Sequence, residues 1–308
     1  MKNFKILLFI PLFITFHQQV KSQGCSDAGF CTMGALQPQQ LSDTLYKNIF
    51  KLALSYGQGE QGTTIIQTIP ECEFSFFKNN SIQLKIPFLF IDGNLGSNNG
   101  VGDISFSITQ ALLKTKYWKL NFTAGTKIAT GKSDAEINNL PLPMPYQTSL
   151  GTHDIILGTS VQYLKWNLGL GFQKVLSNKN ENNFLHSAYT NNADAQKYFE
   201  SNFLDRGNDA LLRIERSFQL NKLNLSAGLL AIYHLQENSL INDSGNRVAI
   251  KNSDGLTLNI TGNAQYNFSN RTGLNLSFGF PEVVRKVRPD GLTRHFVCAV
   301  AFNYNFGK

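Results

Sequence analysis

The chain has 308 residues, of which 16% are charged and 12% aromatic, and its formal net charge is +7. This composition excludes intrinsic disorder, which goes with high charge and few aromatic side chains, and it lacks the repeated runs of about 20 apolar residues of helical membrane proteins. Three positive charges lie in the first 22 residues, and without them the net charge is near +4, too small to indicate a nucleic-acid partner.

The first 22 residues have the pattern of a cleaved secretory signal. Two lysines precede the apolar run Ile6–Phe16, which is too short for a membrane helix. Val20 and Ser22 then supply small side chains at the usual cleavage-site positions before Gln23. We therefore predict a signal peptide over residues 1–22 and export of the rest of the chain.

The four cysteines lie at Cys25, Cys31, Cys72 and Cys298. An exported protein reaches a compartment in which disulfides form. A small loop closed by Cys25 and Cys31 is plausible, although four cysteines allow three pairings and the sequence does not select among them. Their spacing resembles no zinc site, so we expect no metal and no cofactor.

From about residue 45 onward, apolar residues occupy alternate positions for roughly ten residues at a time, and a turn follows each run. Side chains of a strand point to opposite faces with a period of two, so these runs predict two-faced strands. Twelve such segments are predicted, at residues 46–56, 64–77, 82–92, 102–113, 117–128, 153–164, 166–176, 208–219, 222–235, 255–268, 271–281 and 292–306. One short helix is expected in a loop, within Ala193–Phe203.

The connections between these segments alternate between minimal and long. Outer-membrane barrels have short periplasmic turns at one end and long outer loops at the other. We therefore predict an all-β fold, a transmembrane antiparallel up-and-down β-barrel of about 12 strands over residues 45–308, in the bacterial outer membrane.

One face of the strands is apolar and the other is polar or small, as expected for a barrel with lipid outside and a polar lumen inside. Aromatic residues near the strand ends fit interfacial girdles. The charged side chains on the inward face are candidates to line the lumen: Lys51, Glu71, Glu73, Lys85, Asp103, Lys119, Lys127, Asp154, Arg213 and Glu215.

These inward charges have two interpretations. Charges inside a narrow barrel must be paired or hydrated, so they form either a structural ion-pair network or a selectivity constriction. Glu73 is expected to pair with Lys51 and Lys85 across neighbouring strands, and Arg213 and Glu215 share one face. Because both signs are present, no strong ion preference is predicted.

Two short motifs resemble a known family. Gly102-Asp103-Ile104 opens one segment, and Ala124–Gly131 closes the next with Lys127 and Thr130. This pattern resembles the outer-membrane transporters of the meta-pathway phenol-degradation (MetA-type) family, distant relatives of fatty-acid channels, although Ala129 stands where the family has proline. The resemblance implies a barrel that carries small, fairly apolar compounds. The abundant asparagine also resembles Bacteroidetes-type envelope proteins.

Two segments outside the strands bear on transport. Residues Gln23–Thr44 are interpreted either as a plug inside the lumen or as a periplasmic tail. The proline-rich loop containing Leu140, Leu142 and Met144 is expected to fold over the mouth and to offer an entrance for apolar solutes. The polar loops Asn178–Gly207 and Asn238–Ser253 form either a solvated rim or a partner site.

The sequence thus favours an outer-membrane channel or transporter for small, fairly hydrophobic solutes. One alternative is a barrel enzyme acting on envelope lipids, but no G-x-S-x-G elbow is present and no serine stands two residues from a histidine on its lipid-facing side. The other alternative is a non-conducting structural or adhesion barrel. The expected partners are outer-membrane lipid, the barrel-assembly machinery and an unidentified small solute, without nucleic acid.

Overall fold

The computed structural model describes residues 30–38, 48–77, 79–292 and 294–307. The predicted signal peptide and Cys25 lie outside these ranges. None of the described helices is long and apolar enough to cross a membrane.

The described residues contain long strands joined by turns and by a few short hairpins. The strands are β1 (Asn48–Gly59), β2 (Thr64–Phe77), β3 (Asn80–Lys85), β4 (Phe88–Gly93), β5 (Gly96–Val101), β6 (Ile104–Lys114), β7 (Trp118–Ile128), β8 (Glu136–Ile137), β9 (Leu140–Pro141), β10 (Thr152–Tyr163), β11 (Trp166–Asn178), β12 (Asp209–Leu220), β13 (Leu223–His234), β14 (Ser239–Ile241), β15 (Arg247–Ala249), β16 (Gly255–Asn267), β17 (Thr272–Val283) and β18 (Arg294–Phe306).

The wall is a closed antiparallel barrel of 12 strands, in which each strand pairs with its sequence neighbours. Closure comes from β1, which pairs with β2 on one side and with β18 on the other. The small hairpins β8–β9 and β14–β15 lie in the loops. The predicted barrel is confirmed, because period-two alternation is a local signal that each strand carries by itself.

The third wall strand is interrupted. It consists of β3, near the short turns, and β4, near the long loops. Both pair with β2, and Ile86 and Pro87 separate them. Proline has no N–H to donate to a ladder, so a strand breaks or bulges at this position. Beyond the break, β4 pairs with β5 in a hairpin. The sequence predicts one strand over residues 82–92, which covers most of β3 and β4, and no strand at β5.

The two faces of the wall differ as predicted. Large apolar side chains on the outer face are exposed, among them Leu54, Phe90, Leu170, Leu229 and Phe302. Polar side chains alternate with them and are buried in the lumen. In a bilayer this exterior meets lipid, and the polar interior does not.

In the described residues, helical structure is confined to single 3₁₀ turns outside the wall. They are Phe30–Thr32, Gly34–Leu36, Glu60–Gly62, Met144–Tyr146, His186–Ala188 and Ala195–Lys197. The last of these lies within the predicted helical segment Ala193–Phe203 but is only 3 residues long. The long loops all lie at one end of the barrel, and the short turns lie at the other.

Candidate functional site

The first charged group of the lumen is centred on Glu71. Its carboxylate lies 3.6 Å from Lys51 Nζ and 3.4 Å from Lys85 Nζ, and it accepts a 2.6 Å hydrogen bond from Gln83. The prediction that Glu73 pairs with both lysines is wrong, because the register places Glu71 directly opposite Lys51 and Lys85. Glu73 is instead opposite Ile49 and Gln83.

The second charged group is centred on Lys127. Its ammonium lies 3.0 Å from Asp154 and 3.8 Å from Asp103; Lys127 and Asp154 are buried, and Asp103 is half-buried. Asp154 also accepts a hydrogen bond of 2.5 Å from Gln173. Two carboxylates and one ammonium thus meet at this point of the lumen.

A third inward pair joins Arg213 and Glu215, which lie 3.0 Å apart on one face of β12. Lys119 of β7 is half-buried and stands opposite Lys114 and Gln162. The structure thus brings the predicted lumen charges into separate groups on neighbouring strands rather than into one ring.

Residues 30–38, which we call the plug, lie inside the barrel. Cys31, Met33 and Leu36 are buried against Ile156, Leu211 and Leu230, which are inward-facing residues of β10, β12 and β13. Of the two interpretations of Gln23–Thr44, these nine residues occupy the lumen, and the rest of the segment lies outside the described residues. Cys31 is disulfide-bonded, whereas Cys72 and Cys298 are free.

The lumen charges hold the plug by its backbone. Arg213 donates a 2.9 Å hydrogen bond to the Cys31 carbonyl, and Lys85 donates to the Thr32 carbonyl and to the Thr32 hydroxyl. In return, the Gly34 N–H donates to Gln83 and the Ala35 N–H donates to Thr123. The two cations therefore connect the ion-pair groups to the plug.

Gly34 is required at the bend of the plug. Its φ of 46° is in the left-handed region, which glycine adopts without steric cost. A Cβ atom at this position would collide with the side chains of Thr109 and Thr123. The close approach of the plug to β6 and β7 depends on this residue.

The opposite wall of the lumen, formed by β13, β16, β17 and β18, carries few ionisable side chains. Among the described residues of these strands, the buried ones are His234 and Arg294, which lie at strand ends near the cap, and most other inward side chains are amides, hydroxyls or apolar groups. The buried polar members are Asn224, Ser226, Thr257, Asn259, Asn263, Gln265, Asn275 and Asn303. The plug lies mainly against β6, β7, β10 and β11, on the side of the barrel that carries the ion-pair groups, and it reaches β12 and β13 at Leu211 and Leu230.

The loops 129–151 and 179–208, which we call the cap, fold over the end of the barrel that carries the long loops. Their apolar side chains pack with inward residues of the wall in one buried cluster, formed by Ile65, Leu89, Ile91, Leu142, Tyr146, Phe184, Tyr189, Ala195 and Tyr198. The cap is thus packed into the barrel mouth and does not form a solvated rim over its whole length.

Two buried tyrosines lock the cap to the wall. The hydroxyls of Tyr146 and Tyr198 lie 3.0 Å apart, and Tyr198 also lies 3.2 Å from the hydroxyl of Thr63. Burial raises the pKa of Tyr198 above its usual range. No periodic signal in the sequence marked this pair, because its partners lie in separate loops.

The residues expected at a solute entrance are divided between two environments. Leu142 and Met144 are 0% and 3% exposed, whereas Leu140 is 38% exposed. A cavity of about 60 Å³ lies below Met144, lined also by Gln67, Asp103 and Arg294. This space is smaller than a cavity of about 150 Å³ that holds a benzene molecule in another protein.

A buried polar network ties the cap to the rim. His234 is hydrogen-bonded to Asp209 and Asn238, at 2.6 and 2.8 Å. Arg206 contacts Asp209, and both Arg206 and Arg285 lie against Asp290. Although burial alone would raise the pKa of Asp290, the guanidinium groups of Arg285 and Arg206 hold it well below its usual range.

The histidines bear on the enzyme alternative. His153 accepts from the Ala129 N–H, His186 contacts the Tyr198 carbonyl, and His234 is held by Asp209 and Asn238. None of these contacts is a serine hydroxyl, which a Ser-His hydrolase needs within hydrogen-bond reach of its base. The geometry of these three histidines gives no support to lipid hydrolysis.

Comparison with known proteins identifies similar structures but no family. No protein-family model and no curated protein match the chain. The COG4313 outer membrane channel from Pseudomonas putida F1 is similar with a TM-score of 0.63 and 14% identity, over 87% of this chain and 100% of that chain. The NanC porin has a TM-score of 0.49 and 9% identity, over 83% and 100%. The CymD monoaromatic hydrocarbon channel has a TM-score of 0.42 and 8% identity, over 93% and 98%.

At such low sequence identities, the similarity to these structures concerns the fold alone. The Pseudomonas putida channel shares the architecture over its full length. The closed wall, the apolar exterior and the polar interior meet the requirements of a barrel that spans a bilayer. The protein is therefore an outer-membrane β-barrel.

Proposed function

We propose that this barrel is a channel for small, fairly hydrophobic solutes. The observation that carries the proposal is the apolar character of selected inward positions in a lumen that is otherwise polar. Ile65, Leu89 and Ile91 point inward below the cap, and Ile156, Leu211 and Leu230 point inward beside the plug. We call these two groups of residues the apolar steps. A lumen that polar side chains filled only for structural support would not need them.

The inward charges fit the same function. The groups around Glu71 and Lys127, together with the Arg213–Glu215 pair, contain four cations and four anions. Paired charges of both signs give no net field that would favour one ion over another. We therefore propose a pathway that prefers neutral solutes and has little ion selectivity.

The finer family assignment is part of the proposal. The motifs at Gly102–Ile104 and Ala124–Gly131 support a relation to the MetA-type transporters, and the fold similarity to an outer membrane channel agrees with a transport role. The apolar steps select for hydrophobic character and not for a particular compound.

The test is a single-channel recording of the protein refolded in a planar bilayer. Phenol and decanoate, as a small aromatic and a fatty-acid probe, are expected to alter the current at lower concentration than a pentose of similar size. Folded protein that carries no current, with and without residues Gln23–Thr44, would contradict a channel and favour a structural barrel.

Two neighbouring leucines provide a matched pair of variants. Leu142→Ala removes a fully buried side chain from the apolar cluster below the cap and is expected to weaken the effect of phenol. Leu140→Ala makes the same chemical change at an exposed position and should leave that effect unchanged. Equal effects of phenol in wild type and in both variants would contradict the role of the cluster.

A further inference from the structure

The end of the barrel with short turns carries basic and aromatic side chains on its lipid-facing surface. Trp118 of β7, Tyr163 of β10, Trp166 of β11 and Arg216 of β12 are successive cross-strand partners. They form one row across four neighbouring strands, and all four side chains are exposed. In a sheet, such direct partners have their side chains in contact.

The row is held together by aromatic and cation–π contacts. The rings of Trp118 and Tyr163 are 4.3 Å apart, and the Arg216 guanidinium lies 5.2 Å from the Trp166 ring and 5.3 Å from the Phe218 ring. A guanidinium stacked in this way keeps its N–H donors free at its edge. Arg216 is therefore fixed in position and still able to bind two oxygens of a phosphate.

Further cations lie in the turns beside this row. Lys116 stands over the ring of Tyr117, at 5.3 Å, and Lys165 occupies the turn before Trp166. The sequence contains no Asp or Glu in residues 112–122, 159–172 or 216–230, which form these strand ends and turns. We call Lys116, Trp118, Tyr163, Lys165, Trp166 and Arg216 the basic–aromatic patch.

The height of the patch in the membrane identifies its partner. Short turns of outer-membrane barrels lie on the periplasmic side, where the membrane leaflet consists of phospholipid. Exposed tryptophan and tyrosine lie at the level of lipid headgroups. Clusters of lysine and arginine near a membrane surface attract anionic lipids.

We propose that the basic–aromatic patch binds the phosphate of anionic phospholipid, such as phosphatidylglycerol, in the periplasmic leaflet. Arg216, beside Trp166, and Lys116, beside Tyr117, contact lipid phosphates at the two ends of the row, and the two tryptophans cover the glycerol and upper acyl region. This site lies on the exterior of β7, β10, β11 and β12, so it is independent of the solute pathway through the lumen.

The test uses the intrinsic fluorescence of the patch. The chain has two tryptophans, Trp118 and Trp166, and both belong to it. The full chain is refolded into vesicles of phosphatidylcholine and phosphatidylglycerol at equal mole fractions, with brominated acyl chains on one lipid or the other. We expect phosphatidylglycerol to be enriched about fivefold over phosphatidylcholine at the tryptophans, and the enrichment to fall as salt is raised.

Charge-matched variants separate the patch from general electrostatics. Lys116→Gln with Arg216→Gln should bring the two lipids to equal quenching. Lys174→Gln with Lys251→Gln removes two exposed cations from the other end of the barrel and should retain the preference. Equal quenching by both lipids in wild type, insensitivity to salt, or an equal loss in both double variants would overturn the proposal.

Discussion

Glu71 is the residue on which the charge balance of the β1–β3 side of the lumen depends. Its carboxylate is the common partner of Lys51 and Lys85, and Lys85 in turn donates to the backbone of the plug. The two lysines repel each other, and water does not fully solvate either of them inside the lumen. The Glu71 carboxylate between them offsets this repulsion. Glu71 therefore supports both the wall and the position of the plug.

We expect Glu71→Gln to lower the free energy of unfolding by about 3 kcal/mol, the usual cost of breaking a buried ion pair by removing one partner. Glutamine preserves the shape of the side chain, so the loss reports charge. Urea titration of the refolded barrel in vesicles, followed by far-ultraviolet circular dichroism, measures it.

Glu73→Gln is the matched control, since Glu73 lies on the same inward face but is opposite Ile49 and Gln83. A smaller loss than that of Glu71→Gln is expected. If Glu73→Gln proved the more damaging of the two, the register of β1, β2 and β3 described above would be wrong.

Tyr198 gives the cap a dependence on pH. Because burial raises the pKa of its phenol, the folded cap holds this proton more tightly than the unfolded chain does. Its contribution is complete below the unfolded pKa of about 10 and is lost as the pH rises through the folded pKa. We expect the free energy of unfolding to fall from about pH 10 upward, and Tyr198→Phe to flatten that slope.

The comparison is a series of urea titrations between about pH 9 and pH 12. Tyr163→Phe, which removes an exposed hydroxyl, should keep the slope of the wild type. A slope that survives in Tyr198→Phe and vanishes in Tyr163→Phe would assign the effect to the barrel surface instead of the cap.

At the scale of elements, the plug is a segment whose position depends on close approach to the wall. Gly34→Val introduces a side chain at a positive φ and against Thr109 and Thr123. Such strain costs of order 1–3 kcal/mol. It therefore raises the ratio of displaced to seated plug by about tenfold. We expect more frequent open events in single-channel recordings.

The stability of the wall should change little in Gly34→Val, because the wall strands are paired with one another. Gln37→Ala, at the half-buried end of the plug, is the control and should keep the closed time of the wild type. Unchanged gating in Gly34→Val would show that the plug does not limit the current.

The strands could be predicted from the sequence, but the partners of their side chains could not. Alternation shows which face of a strand a residue occupies, so Glu71 and Glu73 are equivalent by that criterion. Only the register with β1 and β3 decides which of them meets Lys51. The plug and cap carry no periodic signal, since residues distant in sequence determine their positions, as Tyr146 and Tyr198 do.

At the scale of the whole molecule, the exterior of the barrel is matched to a bilayer. Leu170 lies on the outer face of β11, opposite Leu212 of β12 and Thr159 of β10. We expect Leu170→Arg to lower the free energy of unfolding in vesicles by about 2–4 kcal/mol, the cost of arginine near the bilayer midplane. Urea titration in vesicles measures this difference.

Leu220→Arg serves as the reference, because Leu220 is exposed at the end of β12 beside a short turn. Arginine at the interface costs only about 0–1 kcal/mol. Equal losses at the two positions would mean that the apolar band does not lie where the exposed side chains place it.

The plug also constrains the order of events when the chain folds. It precedes β1, yet its carbonyl at Cys31 is held by Arg213, which is 182 residues away. Contacts at such separation form late, because a long loop must first be closed. The plug can reach its final place only after β12 has joined the wall, and the pairing of β1 with β18 then encloses it. A chain that stops short of β12 keeps the contacts of Lys85, Gln83 and Thr123 with the plug but lacks the hydrogen bond from Arg213 that fixes Cys31.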